Sequence, residues 1–262
     1  VAADDIDPST IVVTEATDST TTTTLTGSVV TNDTLDPSTT SGTTPSRFID
    51  SLRTGTIEGV GTSATDDGTT LTLTGRYGSI VLTKATGDYT YTLNNSNSEV
   101  NGLTTGSTAL KDSFNYTLND GSAGSNTDIG VLTITIEGAN DLPTITGSED
   151  DIPVTGASDL FEDDATALPL AGLSFEDPDG PSLTLTLSVV HGTLRAYSSD
   201  PGIAIGGNDS DQLTITGDTA FAVEAWLASN DVLYVSSPNA TNVSDTLTYT
   251  ASDGIGNAPN KT

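Results

Sequence analysis

Residues 71–93 read LTLTGRYGSIVLTKATGDYTYTL. Three runs within them, 71–74, 80–83 and 89–93, alternate apolar residues with Thr, and Gly87-Asp88 separates the last two. Period-two alternation in β-branched and aromatic residues marks a strand with one buried face, and Gly-Asp pairs mark turns. The pattern recurs outward at 114–118, 131–136, 183–187, 213–216 and 247–250, punctuated by Asp67-Gly68, Asp120-Gly121, Asp179-Gly180 and Asp253-Gly254. Many short strands with frequent turn signals predict an all-β chain built of β-sandwiches. One segment departs from this: 218–230, DTAFAVEAWLASN, reads as a short helix with Phe221, Ala225 and the sole tryptophan, Trp226, on one side and Asp218 as its N-cap. Trp226 is expected in the core. The Ser/Thr/Gly-rich stretch 37–67 reads as a long excursion with one or two weak strands, and the Thr run 20–24 as strand or linker.

The chain repeats loosely. FNYTLNDGSAG at 114–124 parallels LTYTASDGIGN at 247–257. The first copy runs on through a strong strand, 127–137, to Gly138-Ala139-Asn140-Asp141-Leu142-Pro143, where a new strand pattern begins. This places a boundary near 142, giving modules 1–142 and 143–262. After the second copy only six residues follow Gly256, so either a last strand lies beyond Thr262 or these residues form a vestigial edge; an exposed sheet edge is expected in module two. The chain opens at Val1 with no leader pattern and reads as a piece of something longer.

Composition narrows the function. With 36 acids against 7 bases the formal charge is -29. Nucleic-acid binding needs a basic footprint, and docking on anionic lipid needs one too. No apolar run reaches the length of a membrane helix. Cys is absent and His191 is the only histidine, so thiolate chemistry and multi-His metal centres are excluded; His191 itself, beside Gly192, reads as a turn residue. Asp outnumbers Glu by 28 to 8, and Asp on short loops is a hard-cation ligand because calcium takes six to eight oxygens at flexible geometry. Each module is acidic, with 18 acids against 5 bases in the first and 18 against 2 in the second, so end-to-end contact is repulsive without a cation between them.

Spacing points the same way. Asn140 and Asp141 lie in the linker, Asp177-Pro178-Asp179-Gly180 is an Asp-x-Asp turn after an expected strand 170–175, and Asp253 follows the last strand of module two. These five can converge at one end of a sandwich, with Glu15 and Asp18, after strand 11–14, supplying module one's share of a junction site. An equivalent N-terminal half-site comprises Asp4, Asp5 and Asp7 with Asp33, Asp36 and Asp120, and a C-terminal one comprises Glu162, Asp163 and Asp164. The bland alternative is that each is an ordinary polar turn, since Asp-Gly turns need no metal, but the same three-part arrangement occurs twice in a chain this acidic. Gly206-Gly207-Asn208-Asp209-Ser210-Asp211 resembles one turn of a calcium β-roll, but such rolls need tandem copies. The Asn-x-Ser/Thr triplets are expected by chance at this Thr content.

Module one resembles the VCBS repeat of giant RTX-type bacterial surface adhesins, through VTEAT (13–17), GSVVTNDTLDP (27–37), GRYGSIVLTKATGDYTYTLNN (75–95), FNYTLNDGSAG and GVLTITIEGANDLP (130–143). Module two resembles the cadherin-like repeats of the same adhesins, through LAGLSFEDPDG (170–180), LTLSVVHGTL (185–194) and DTLTYTASDGIGN (245–257). The resemblance implies two tandem immunoglobulin/cadherin-like sandwiches in a longer extracellular array at the bacterial cell surface. It implies calcium (Ca2+) stiffening of the junctions and a role in cell adhesion or biofilm formation, not an enzymatic one. Asn140, Asp141, Asp177, Asp179 and Asp253 fall where cadherin-type ligands would, whereas the Asp-x-Glu pair of true cadherins is not evident in module one. The expected partners are neighbouring repeats. The alternative is a module binding a cell-surface polysaccharide or protein, with Tyr77, Tyr89 or Tyr197 as stacking platforms; a hydrolase using paired carboxylates lacks a cleft signal.

Overall fold

The computed structural model describes residues 11–31, 47–119, 127–147, 165–180, 182–237 and 245–259. The chain divides into two compact units, Val1–Ala139 and Asn140–Thr262. Asn140–Leu142, the end of module one in the sequence reading, therefore go with the second unit.

Unit one places two sheets face to face. Strands β1 (Val12–Thr14), β3 (Phe48–Thr54), β8 (Leu110–Asn119) and β9 (Thr127–Glu137) form one, in the order β1-β9-β8-β3. Strands β2 (Thr23–Ser28), β4 (Thr65–Asp66), β5 (Thr70–Thr74), β6 (Gly78–Thr83) and β7 (Asp88–Leu93) form the other, ordered β2-β7-β6-β5-β4. All pairings are antiparallel except β1 on β9, which is parallel. Thus the Thr run feeds β2, and the 37–67 excursion contains a seven-residue strand, β3, which carries the buried Ile49 and Leu52. The alternation predicted from sequence is met by burial: in β5 and β7 the apolar residues lie inside and the threonines face outward. Tyr91 and Phe114 meet across the two sheets edge to face, with centroids 6.2 Å apart. Gly130 is required where it sits, opposite Tyr116, because a Cβ there would fall 2.5 Å from the phenol ring.

Unit two contains β10 (Thr144–Thr146) paired with β12 (Ser174–Glu176); β11 (Ala165–Ala167), β17 (Leu233–Val235) and β14 (Thr193–Arg195) in the order β11-β17-β14; and β15 (Ile203–Gly206), β16 (Gln212–Gly217), β13 (Leu183–Ser188) and β18 (Thr248–Ser252) in the order β15-β16-β13-β18. Leu185, Leu187, Leu194, Leu213, Ile215, Tyr249 and Ala251 fill a single core between them. The strand expected over 170–175 is shorter, because Leu173 N–H closes a turn onto the Leu170 carbonyl and β12 starts only at Ser174.

Helix α1 (Ala220–Leu227) forms where expected, but Thr219, not Asp218, caps it: its hydroxyl accepts from Ala222 N–H at 3.0 Å. Val223, Trp226 and Leu227 enter the core while Phe221 is 75% exposed. Glu224 ties the helix to β12 by accepting from the Ser174 hydroxyl and Phe175 N–H. Beyond β18 the chain turns back on its edge. Ala258 N–H donates to the Ala251 carbonyl at 2.7 Å and Asn257 bridges Ser252, so a vestigial edge forms there.

Candidate metal centre

The acidic cluster of unit two is assembled by three chain segments. The first follows β12, where Asp177 Oδ1 accepts from Gly180 N–H at 2.9 Å, closing the Asp-Pro-Asp-Gly turn. A Cβ on residue 180 would lie 2.0 Å from Asp177 Oδ2, so the turn needs glycine to let the carboxylate lie across it. The second follows β18, where Asp253 Oδ1 accepts from Ile255 and Gly256 N–H at 2.7 and 2.6 Å and Gly254 takes φ of 90°. The third is the start of the unit. Asn140 Nδ2 donates to Asp253 Oδ2 at 2.7 Å, and Asp141 N–H donates to Asp179 Oδ2 at 3.1 Å. Oxygens of Asp177, Asp179 and Asp253 then all lie within 4.8 Å of one another.

Electrostatically the cluster is incomplete. Among the described residues Asp177 Oδ2 and Asp179 Oδ1 are buried and accept no hydrogen bond. Burial, then the neighbouring Asp179 and Asp253 carboxylates, pushes the Asp177 carboxyl up to about 6. Burial also works on Asp253, but the Gly256, Asn140 and Ile255 donors outweigh it and hold that carboxyl below its ordinary value. The only lysine or arginine among unit two's described residues, Arg195, is engaged by Asp209. Orphaned oxygens with no base beside them fit a hard, oxygen-seeking divalent cation, which would neutralise the repulsion directly.

The structure therefore brings together five of the seven residues expected at the junction: Asn140, Asp141, Asp177, Asp179 and Asp253. Glu15 belongs to unit one. It is buried at the exit of β9, where its backbone N–H donates to the Glu137 carbonyl at 3.0 Å and its Oε1 accepts from Ala139 N–H at 3.3 Å. Asp18 is occupied differently: both its oxygens accept from Thr20 and Thr21 within one exposed turn, and these donors hold its carboxyl far below the usual range. Asp4, Asp5, Asp7, Asp33, Asp36, Asp120, Glu162, Asp163 and Asp164 lie outside the described residues. The Gly206–Asp211 turn is not an open cation site, since Arg195 Nε donates to Asp209 Oδ1 at 2.5 Å and Ala196 N–H to Asn208 Oδ1 at 2.8 Å. Of the tyrosines weighed as platforms, Tyr77 and Tyr89 are buried and Tyr197 is exposed.

Two carboxylates that the sequence reading passed over prove structural. Asp245, its side chain 1% exposed, accepts from Val190, His191, Gly192 and Thr246 N–H and from the Tyr234 hydroxyl. Asp112, also buried, accepts from Arg76 and Tyr77 N–H and the Tyr91 hydroxyl. Each stands two residues before the repeated segment, at Phe114 and Leu247, in phase with its inward residues. That phase was the available signal, because an Asp at an inward strand position must be answered by buried donors.

No family model matches the chain, and no curated protein matches it. Among solved structures, the BspA C-terminal domain of the Streptococcus agalactiae AgI/II polypeptide aligns over 82% of this chain and 79% of its own, with 7% identity and a TM-score of 0.24. Mouse cadherin-23 EC22–24 aligns over 74% of this chain and 52% of its own, with 14% identity and a TM-score of 0.26. Likenesses at this level carry no weight for function, which rests on the residues themselves.

Proposed function

We propose that this chain is a calcium-binding structural segment of an extracellular bacterial adhesin, two modules of a stalk that presents a binding domain elsewhere in the protein. The observation that supports it is the convergence of Asp177, Asp179 and Asp253 within 4.8 Å, with buried orphan oxygens and, among the described residues of that unit, no free lysine or arginine. A cation held there would also fix Asn140 and Asp141, the residues through which the chain leaves β9 for the second module, and so restrict the hinge. Neutralising the repulsion would convert a flexible linker to a stiff one. Neighbouring repeats are then the partners, and dissociation constants of about 0.1–1 mM suit extracellular calcium.

The test is calcium titration by calorimetry on the full chain, with small-angle scattering in calcium and in chelator. Saturable binding that D177N/D179N abolishes, with a longer maximum dimension in calcium, is expected. Absence of heat at 5 mM calcium, or an unchanged scattering profile, refutes binding or stiffening respectively.

A further inference from the structure

Away from the acidic cluster, unit two has a cavity of about 260 Å³ between α1 and the loop that precedes β15. Ala222, Ala225 and Trp226 give it an apolar wall, and Ser199, Asp200, Ser229 and Asn230 give it a polar one. Residues 222, 225, 226 and 229 follow i, i+3, i+4, i+7 spacing, so one face of the helix and the turn after it line the cavity. Phe221 lies one helical turn before Ala225 and is therefore its neighbour on the helix surface. The Phe221 ring is 75% exposed, unlike Trp226, which is 4% exposed, so it faces water on the helix surface next to Ala225.

The polar wall carries a carboxylate and no cation among the described residues. Asp200 Oδ1 takes the Gly202 N–H at 2.9 Å, and its Oδ2 accepts nothing among the described residues. One N–H of Asn230 Nδ2 goes to the Trp226 carbonyl at 2.9 Å, and its Oδ1 is an acceptor. A second carboxylate, Asp218, stands behind this wall, since both Asp200 and Asp218 lie within 3.7 Å of a Cβ built on Gly202. No basic residue lines the cavity. The ligand must therefore bring hydroxyl or amino donors, present an apolar face to an aromatic ring, and carry no negative charge. A pyranose has this chemistry: hydroxyls around its edge and C–H groups on one face.

We infer that this cavity is a binding site for a neutral or amino-bearing hexose, with Phe221 as the stacking platform and Asp200 and Asn230 as hydrogen-bond acceptors. Uronic and sialic acids are rejected by Asp200 and Asp218. A single ring in so shallow a site binds weakly, with a dissociation constant of about 1–10 mM.

Trp226 is the chain's only tryptophan, so its emission reports on the cavity directly. The full chain is titrated to 50 mM (about five times the weakest affinity expected) with methyl glucoside, methyl galactoside, methyl mannoside, N-acetylglucosamine, glucosamine and glucuronate, and amide shifts of Ala222, Ala225 and Ser229 are followed by NMR. At least one neutral or amino sugar should give a saturable change in both signals, glucuronate none. F221A and D200N, both at exposed positions, should weaken the response about tenfold, while D177N leaves it unchanged and so separates this site from the calcium cluster. Silence across the neutral and amino sugars, or a response that F221A and D200N leave intact, overturns the inference.

Discussion

Replacing Asp177 with asparagine should stabilise unit two without calcium and remove most of the stabilisation that calcium gives it. The carboxyl is held at about 6 against an ordinary 3.8, a gap of about two pH units, or roughly 3 kcal/mol of uncompensated burial and repulsion if undiluted by solvent. Because the side chain is only partly enclosed, screening reduces this to about 1–2 kcal/mol. The sign follows from proton linkage. A folded-state value raised above the unfolded one gives a contribution fully present below about pH 4 and lost as pH rises through about 6. At pH 7.5 the wild type in chelator therefore carries the whole penalty. The neutral amide of D177N carries none of it, and its oxygen can still accept from Gly180 N–H. The variant should melt about 4–8 °C higher in chelator. In 5 mM calcium the wild type gains about 1–2 kcal/mol at the affinities given above, and the variant gains little, so the gap between them closes. Trp226 emission follows this melt in unit two alone. At pH 5, where Asp177 is mostly protonated, the chelator gap should shrink. If D177N melts below wild type in chelator, or calcium shifts both proteins equally, the cluster is not a strained, cation-seeking site.

Other substitutions separate ligand from scaffold. G180A keeps every carboxylate but its Cβ displaces Asp177 Oδ2, so calorimetry should show calcium affinity reduced about tenfold or more with little loss of fold. D245A strips the partner from four backbone amides and a phenol and should cost about 3–5 kcal/mol by denaturant melt, whereas Y234F costs about 1. Burial opposes ionisation of Asp245, but the His191, Val190 and Thr246 amides hold its carboxyl below the ordinary value. Its stabilisation is thus present above about pH 4 and fades as pH falls below that, which an acid titration of unit two's Trp226 signal will follow. T219A should lower stability by about 1 kcal/mol, and D218A should not, because the cap is the threonine hydroxyl.

The strands were legible because one physical rule wrote them: each buries one face, so Thr and apolar residues alternate through β5, β7, β13, β16 and β18. The cluster was legible for a related reason, since Asp-x-Asp-Gly and Asp-Gly turns sit at strand ends that a sandwich gathers at its poles. What escaped were choices that depend on neighbours distant in sequence. Asp18 offers the same carboxylate as Asp177, yet two threonines in its own turn occupy it. Phe221 fits a helical apolar stripe, but Val223 and Leu227 won the core once α1 took its rotation against β12 and β16. Asp112 and Asp245 hid among polar residues because nothing nearby in sequence names the amides they hold. The excursion at 37–67 looked weak because Ile49 and Leu52 fall on opposite sides of a register shift at Asp50, which breaks the two-residue period.

The parallel pairing of β1 with β9 has a mechanical consequence. These are the first and last described strands of unit one, joined residue by residue from Val12–Thr135 to Thr14–Glu137, with Thr135 N–H on the Ile11 carbonyl and Glu15 N–H on the Glu137 carbonyl. Tension applied to the chain on either side of the unit draws two parallel strands in opposite directions along their own axes. The bridging bonds are then loaded together, in shear, instead of parting one at a time like a zip, and under stretch the ladder at the unit's two ends becomes its clasp.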